Sequence, residues 1–356
     1  MTRLILLGAG KIGETITHLL QSSGDYALTV ADQDAARLTR VAELGATTVL
    51  AEFGDAGAIA ELIRGHDYVI SACPFYLTPA IAEAAVNVGA HYFDLTEDVA
   101  STRLVKDLAR RAPTALMPQC GLAPGFISVL AYAMARKFDT LRDVQMRVGA
   151  LPVYPTNALK YNLTWSTDGL INEYCNPCEA INDGRLRETL ALEEVEAFSL
   201  DGITYEAFNT SGGLGTLCET LDGRVENLNY KTVRYPGHRD IVKMLIRDLR
   251  LGQRRAILKD VLEESLPMTQ QDVVLVFVTV SGMREGRLTQ ESFAKKIYSR
   301  TIGGRLFSAI QITTAAGICA MVDMMRDGLL PQKGFVRQEE ADLERFLANR
   351  FGQYYA

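Results

Sequence analysis

Arg3-Leu-Ile-Leu-Leu-Gly-Ala-Gly-Lys-Ile-Gly-Glu14 is the stretch from which the rest of the chain can be read. Residues 3–7 form an apolar run with the length of a buried strand. Glycines follow at once at positions 8, 10 and 13, and from Glu14 to Ser22 apolar residues (Ile16, Leu19, Leu20) recur at helical spacing. Each glycine has a reason in a strand–turn–helix. Gly8 makes the tight turn, Gly10 leaves the backbone open to a pyrophosphate, and Gly13 lets helix and strand pack closely. The helix that follows, with Lys11 and Ile12 in its first turn, presents free N–H groups and the positive end of its dipole. Asp32 lies nineteen residues after Gly13, at the end of the next apolar run. A carboxylate there is expected to accept hydrogen bonds from an adenosine ribose and to repel a 2′-phosphate. Asp34 adds to that repulsion, and Arg37 is the one residue that argues against it. The expected cofactor is therefore NAD rather than NADP.

The alternation continues past this turn. Strands are expected at Tyr26–Ala31, Thr47–Phe53, Tyr68–Ala72, His91–Leu95 and around Ala115–Met117, with helices at Ala35–Leu44, Ala56–Ile63, Pro79–Val88 and Ser101–Arg111. Short connections between alternating strands and helices predict a doubly wound parallel sheet, the dinucleotide-binding Rossmann fold. Ligands sit beyond the carboxyl ends of such strands. Phe53-Gly54-Asp55 should then face the adenine, Ser71-Ala72-Cys73-Pro74 should pass the nicotinamide ribose, and Asp94-Leu95-Thr96-Glu97 should close the nicotinamide side. Asp55 and Asp98 also suit helix N-caps.

The rhythm changes after residue 121. A helix over 126–136, strands at 144–150, 195–199, 225–233 and 273–280, an amphipathic helix over 239–251 and a loop-rich stretch at 151–173 predict an α+β region with a mostly antiparallel sheet. Long helices follow at 307–326 and 338–350. No Pro/Ser-rich linker separates the halves, so the α+β region is expected as an insertion, with the C-terminal helices returning to the first domain. The predicted domains are 1–122 with 305–356, which binds NAD, and 123–304, which holds substrate and dimerises.

Composition narrows the classes. The chain has 356 residues, 48% hydrophobic and 22% charged, which excludes disorder as its main state. Its formal charge of −6 gives no electrostatic reason to bind nucleic acid. No run reaches the ~18 apolar residues of a membrane span. Met1-Thr-Arg followed by five apolar residues does not read as a secretory signal, and six dispersed cysteines do not read as a disulfide framework. A cytosolic protein with reduced thiols is expected.

Several motifs lie in register with one family. Gly121-Leu-Ala-Pro-Gly125 follows Gln119-Cys120, and the first domain carries the glycine turn, Ser71-Ala-Cys-Pro and Tyr92-Phe-Asp-Leu95. Thr232-Val-Arg-Tyr-Pro-Gly-His238 completes the set. On these residues the chain resembles the saccharopine dehydrogenase superfamily over most of its length. Pro155-Thr-Asn-Ala-Leu-Lys-Tyr161 through Trp165-Ser-Thr-Asp168, and Phe208-Asn-Thr-Ser-Gly-Gly-Leu214, are similar to lysine 6-dehydrogenases within it. The resemblance implies a Rossmann domain interrupted by an α/β substrate domain. It also implies oxidation at a carbon bearing an amine. For a lysine 6-dehydrogenase, NAD takes hydride from the ε-carbon of lysine, water hydrolyses the imine, ammonia leaves and the semialdehyde cyclises. Gly121 joins the residues expected against the cofactor.

Such chemistry needs particular side chains. An ammonium cannot give up hydride until it loses a proton, so a general base is required. Asp94, His238 and Lys160 are the candidates, Asp94 by position and His238 by its intrinsic pKa. An α-carboxylate is best held by a bidentate guanidinium. Arg234 and Arg239 bracket the rigid Tyr-Pro-Gly-His turn, and Arg234 is favoured. Trp165 and Asp168 are candidates for the distal ammonium. Thr210, Ser211 and Gly212 open a second glycine cluster that can present donors and bare backbone to a substrate. Cys175 and Cys178 have metal-ligand or redox spacing, but no second pair lies nearby in sequence, so no metal is expected.

Three activities fit these residues: an NAD-dependent amino-acid dehydrogenase acting on lysine, a reductase condensing an amine with a carbonyl compound, and a catalytically silent NAD(H) sensor. The expected partners are a small amino-acid substrate and a second copy of the chain, as a homodimer or a dimer of dimers.

Overall fold

Leu4, Ile5, Leu6 and Leu7 are completely buried, which is what a central strand flanked by helices on both faces requires. The computed structural model describes residues 1–54 and 56–356. They form two compact units, residues 1–126 with 311–356, and residues 127–310.

In the first unit β1 (Thr2–Leu7), α1 (Lys11–Ser23), β2 (Tyr26–Asp32), α2 (Ala35–Ala42), β3 (Thr47–Leu50), α3 (Ala56–Ile63), β4 (Tyr68–Ser71), α4 (Thr78–Val88), β5 (His91–Asp94), α5 (Val99–Ala109) and β6 (Ala115–Met117) alternate as the sequence predicts. The third strand stops three residues early, at Leu50. All neighbours pair in parallel, in the order β6-β5-β4-β1-β2-β3. Local signals set the ends. Asp34 caps α2 by accepting from the N–H groups of Ala36 and Arg37, and Asp98 caps α5 through Ser101. Gly89 ends α4 in the left-handed conformation, φ 76°.

In the second unit the elements are α6 (Phe126–Ala135), β7 (Thr140–Pro152), α7 (Thr167–Cys175), β8 (Cys178–Asn182), β9 (Arg185–Thr189), β10 (Glu196–Leu200), β11 (Ile203–Asn209), α8 (Leu217–Thr220), β12 (Val225–Arg234), α9 (His238–Lys243), α10 (Arg255–Ser265), β13 (Asp272–Arg284) and β14 (Arg287–Tyr298). The eight-stranded sheet runs β10-β11-β12-β7-β13-β14, with β8 and β9 branching from β12. Its pairs are antiparallel except β12–β7, so the sheet is mixed. The expected loop over 151–173 ends in α7, whose first turn Ser166 caps through Gly169. The expected helix over 239–251 breaks after Lys243 into a π-helical turn, Met244–Asp248.

A small hairpin, β15 (Arg300–Ile302) with β16 (Arg305–Phe307), precedes α11 (Ala309–Arg326). The start of α11 is capped from a distance: the Asp272 carboxylate accepts from the N–H groups of Ala309 and Ile310. Back in the first unit, β17 (Gly334–Phe335) adds a seventh parallel strand beside β6. The helix expected over 338–350 shortens to α12 (Leu343–Ala348), because the Asp342 side chain caps a fresh start by accepting from Arg345 N–H. Among the described residues no helix is long and apolar enough to cross a membrane.

Candidate functional site

The first unit builds a cradle from backbone. Gly8 has φ 102°, and a Cβ there would lie 2.8 Å from the Ala72 carbonyl oxygen. A Cβ on Gly13 would lie 2.0 Å from the Gly8 carbonyl oxygen. Gly10, by contrast, has nothing within 4 Å of a Cβ and stands at the N-cap of α1 without a capping side chain. Two glycines are therefore compelled by protein packing, and the third keeps an open face beside the helix end carrying Lys11 and Ile12. That is the shape a diphosphate needs, and the cradle fits a dinucleotide.

Asp32 ends β2 and is buried. Its Oδ2 accepts from Ala9 N–H at 2.6 Å, inside the glycine turn, and its Oδ1 accepts from Asp34 N–H at 2.9 Å. Each oxygen keeps a second lone pair for a ribose hydroxyl. Arg37 is held by acids: its Nε lies 3.2 Å from Asp34 and its Nη1 3.9 Å from Asp32. Two carboxylates against one guanidinium leave this corner negative. Ser71 closes β4 as a buried residue, and Ala72 N–H donates to Leu7 O at 2.8 Å, which sets Cys73 and Pro74 beyond the strand end. Burial pushes the Cys73 thiol up to about 12. Leu95 lies 3.5 Å from where a Cβ on Gly121 would be. Asp55 lies outside the described residues.

Asp94 is not a free base. Its carboxylate is enclosed and accepts from Tyr92 OH at 2.8 Å, Thr96 N–H at 3.0 Å and Gln119 N–H at 2.8 Å. Burial pushes its pKa up to about 6 against the pull of these donors. Its geometry is that of a clasp joining the ends of β5 and β6.

The second unit gathers side chains instead. Arg234, at the end of β12, is buried; its Nε donates to Tyr174 OH at 3.0 Å and its Nη1 to Val233 O at 2.9 Å. The guanidinium lies 4.9 Å from the centre of the Tyr161 ring. Trp165 Nε1 donates to Tyr161 OH at 3.1 Å, so Trp165 steadies that ring. Among the described residues no carboxylate makes an ion pair with Arg234, although the charge of Glu173 is felt there. A buried guanidinium bonded to neutral groups keeps the capacity to pair with an anion. Thr210, expected as a donor, is buried with its hydroxyl oxygen unpaired, and Asn162 Oδ1 beside Tyr161 is unpaired too. Ser211 N–H donates to Glu173 O at 3.0 Å. Gly212 has φ 86°, and a Cβ on Gly213 would sit 2.2 Å from the Tyr230 ring, so this glycine cluster is packed rather than loose.

Three more of the expected residues are engaged with other groups of the protein. His238 is buried, with Nδ1 2.8 Å from Leu159 O and Nε2 3.0 Å from Tyr174 OH. Burial, then Arg234, pushes its pKa down to about 3. Both ring nitrogens are engaged, and its surroundings favour the neutral imidazole. Lys160 donates from Nζ to Pro236 O at 2.8 Å and is exposed. Asp168, in the first turn of α7, pairs with Lys259 of α10 at 2.6 Å. Sequence reading did not single out Tyr174 or Glu173, since nothing in their spacing marks them. Cys175 ends α7 and Cys178 begins β8; burial raises both thiols, Cys178 to about 12.

Comparison with known families bears on both units. Residues 4–119 match the model of the saccharopine dehydrogenase NADP binding domain, and residues 121–353 match that of the saccharopine dehydrogenase C-terminal domain. This chain belongs to the saccharopine dehydrogenase family. It is 23% identical over 257 residues to the saccharopine dehydrogenase (NADP(+), L-glutamate-forming) of Saccharomyces cerevisiae, a match covering 68% of this chain and 57% of that protein. It is 20% identical over 192 residues to the mitochondrial alpha-aminoadipic semialdehyde synthase of Rattus norvegicus, covering 52% of this chain and 21% of that one. The match thus spans little more than half of the yeast protein and about a fifth of the rat protein. The apo structure of the yeast saccharopine dehydrogenase (L-Glu forming) shares the fold, with a TM-score of 0.79 at 17% identity over 99% of this chain and 98% of that one.

Proposed function

We propose that this family member is an NAD-dependent dehydrogenase of an amino acid, oxidising the ε-carbon of L-lysine to give 2-aminoadipate 6-semialdehyde, ammonia and NADH. The observation that carries the reading is Arg234: a buried guanidinium without a carboxylate partner beside an aromatic wall of Tyr161 and Tyr174. Such a group holds an α-carboxylate and leaves the rest of the substrate to be sorted by its length. When bound in the glycine cradle, the nicotinamide supplies the hydride acceptor. The chain's own part is to bind and orient. Gly8, Gly10 and Gly13 shape the cradle, Asp32 receives the ribose, and Tyr174 and Tyr161 hold the guanidinium. The preference for NAD rests on the negative corner made by Asp32 and Asp34, in which Arg37 is already engaged.

A second reading is supported by the kinship with saccharopine dehydrogenases: reductive condensation of an amine with a carbonyl-bearing acid. Absorbance at 340 nm separates the two. Purified protein with NAD and a panel of amino acids at pH 9 should form NADH with lysine. Turnover only in the reductive direction, with an amine plus a keto acid or semialdehyde, supports the second reading. Silence in both directions despite NADH binding leaves a sensor. Tighter binding of NADPH than NADH would remove the Asp32 argument. Arg234→Lys should raise KM for the amino acid by about a hundredfold, because a point charge replaces a fork on a site built for two parallel bonds.

A further inference from the structure

Gln119 stands where β6 ends and carries an oddity that the roles above leave unused. Its φ is 64°, a left-handed conformation in a residue with a full side chain. The residue is buried, and its side-chain oxygen has no hydrogen-bond partner among the described residues. The segment around it is pinned on every side. Gln119 N–H donates to Asp94 Oδ1 and Cys120 N–H to Asp94 O, both at 2.8 Å. Gln338 Nε2 donates to Pro118 O at 2.6 Å, and Phe126 N–H to Gly121 O at 3.0 Å. Helix α11 presses on the same turn: a Cβ on Gly317 would lie 2.7 Å from Gly121 O and 2.8 Å from Cys120 O. A strained residue persists only where its surroundings over-determine it, and a buried amide oxygen left unpaired calls for a partner.

The sheet says which part of a ligand belongs there. In the order β6-β5-β4-β1-β2-β3, the cradle follows β1 and the acid that receives the adenosine ribose ends β2. Gln119 lies three strands to the other side of β1, roughly 14 Å across the sheet. A dinucleotide held at its diphosphate over β1 sends its two halves in opposite directions. The half that meets β6 is the nicotinamide, whose carboxamide is neutral and carries both a donor and an acceptor. A neutral amide is its complement, since a carboxylate would refuse its oxygen and an ammonium would refuse its N–H.

We propose that Gln119 is the residue that anchors the nicotinamide carboxamide, its side-chain amide pairing with the carboxamide N–H and so choosing the ring face turned to substrate. The assignment rests on the dinucleotide reading, and the test separates the two. Calorimetric dissociation constants are needed for NAD, for 3-acetylpyridine adenine dinucleotide, which lacks the carboxamide N–H, and for ADP-ribose, which lacks the ring. They are measured with the wild type and with Gln119→Gly, which accepts a positive φ without strain. The wild type should prefer NAD to the acetylpyridine analogue about tenfold, the worth of one buried hydrogen bond. Gln119→Gly should lose that preference and about tenfold of its NAD affinity, with ADP-ribose binding unchanged within about twofold. NAD affinity unaffected by the substitution, or NAD and ADP-ribose weakened alike, would overturn the assignment. Gln119→Asn, which also tolerates the left-handed backbone, guards against a folding artefact and should fall between the two. A wild type that binds neither NAD nor ADP-ribose would end the dinucleotide reading itself, and this assignment with it.

Discussion

The turn at residues 8–13 and the cluster around Arg234 reach a binding geometry by opposite means. The first is made of backbone: Gly8 and Gly13 are required because any side chain would strike a carbonyl oxygen, and Gly10 faces open space. The second is made of side chains brought from separate segments: Arg234 and His238 are joined by hydrogen bonds through Tyr174 OH, and the Tyr161 ring lies against the guanidinium. Backbone sites tolerate no volume; side-chain sites tolerate no loss of a partner. Burial acts on ionisable groups in the same way in both units. Asp94 has its pKa raised and His238 has its pKa lowered, so in each case the neutral form is favoured.

The largest effect is expected at Gly13. Gly13→Ala should reduce NADH affinity roughly a thousandfold or more, because backbone on both sides must move to admit the methyl group. Gly10→Ala should leave thermal stability unchanged and weaken NADH by about tenfold, since its Cβ takes only ligand space. Fluorescence titration and thermal melts on both variants check the contrast; equal affinity in the two would erase the distinction between packed and open glycines.

Next in size are the pH effects, which have opposite signs. The lowered pKa of His238 gives stability that is complete above pH 6.5 and is lost as the pH falls toward about 3. The loss is at most about 5 kcal/mol, and His238→Gln should flatten that limb. The raised pKa of Asp94 gives stability that is complete below pH 3.8 and is lost as the pH rises through about 6. That loss is at most about 3 kcal/mol, and Asp94→Asn should remove it. Urea unfolding at a series of pH values reads both. Matching slopes in wild type and variant would mean that these groups titrate alike in the folded and unfolded chain.

The smallest effect is expected at Asp168. Its pair with Lys259 is partly exposed, so Asp168→Asn should cost no more than about 0.5 kcal/mol and leave KM for the amino acid unchanged. A rise in KM would return Asp168 to the substrate site.

Legibility in the sequence follows the same division. The glycine turn, the run to Asp32 and the strand–helix alternation to Met117 could be read because each element satisfies itself locally. Asp98 and Gly89 mark helix ends within a residue or two of where they act, whereas the cap that Asp34 puts on α2 appears only in the structure. Strand β17 could not be read, since two residues have no pattern of their own and exist as a strand only beside β6. The start of α11 is set by Asp272, thirty-seven residues earlier, and no periodicity carries that information. His238 and Asp94 are candidate bases by residue type and position, and only folding supplies their partners Leu159, Tyr174, Tyr92, Thr96 and Gln119.

From the amino acids in order came the doubly wound sheet, the dinucleotide cradle and the acid at the end of β2. These depend on local rules: the glycine spacing a tight turn needs and the length of a buried strand. Folding added what depends on distance in space. Among the described residues it left Arg234 without a carboxylate partner and the amide oxygen of Gln119 unpaired, favoured the neutral form of His238 and turned Asp94 into a clasp. Burial and partners set the charge and hydrogen-bonding capacity of a side chain, and both come from residues that the chain brings near only when it folds.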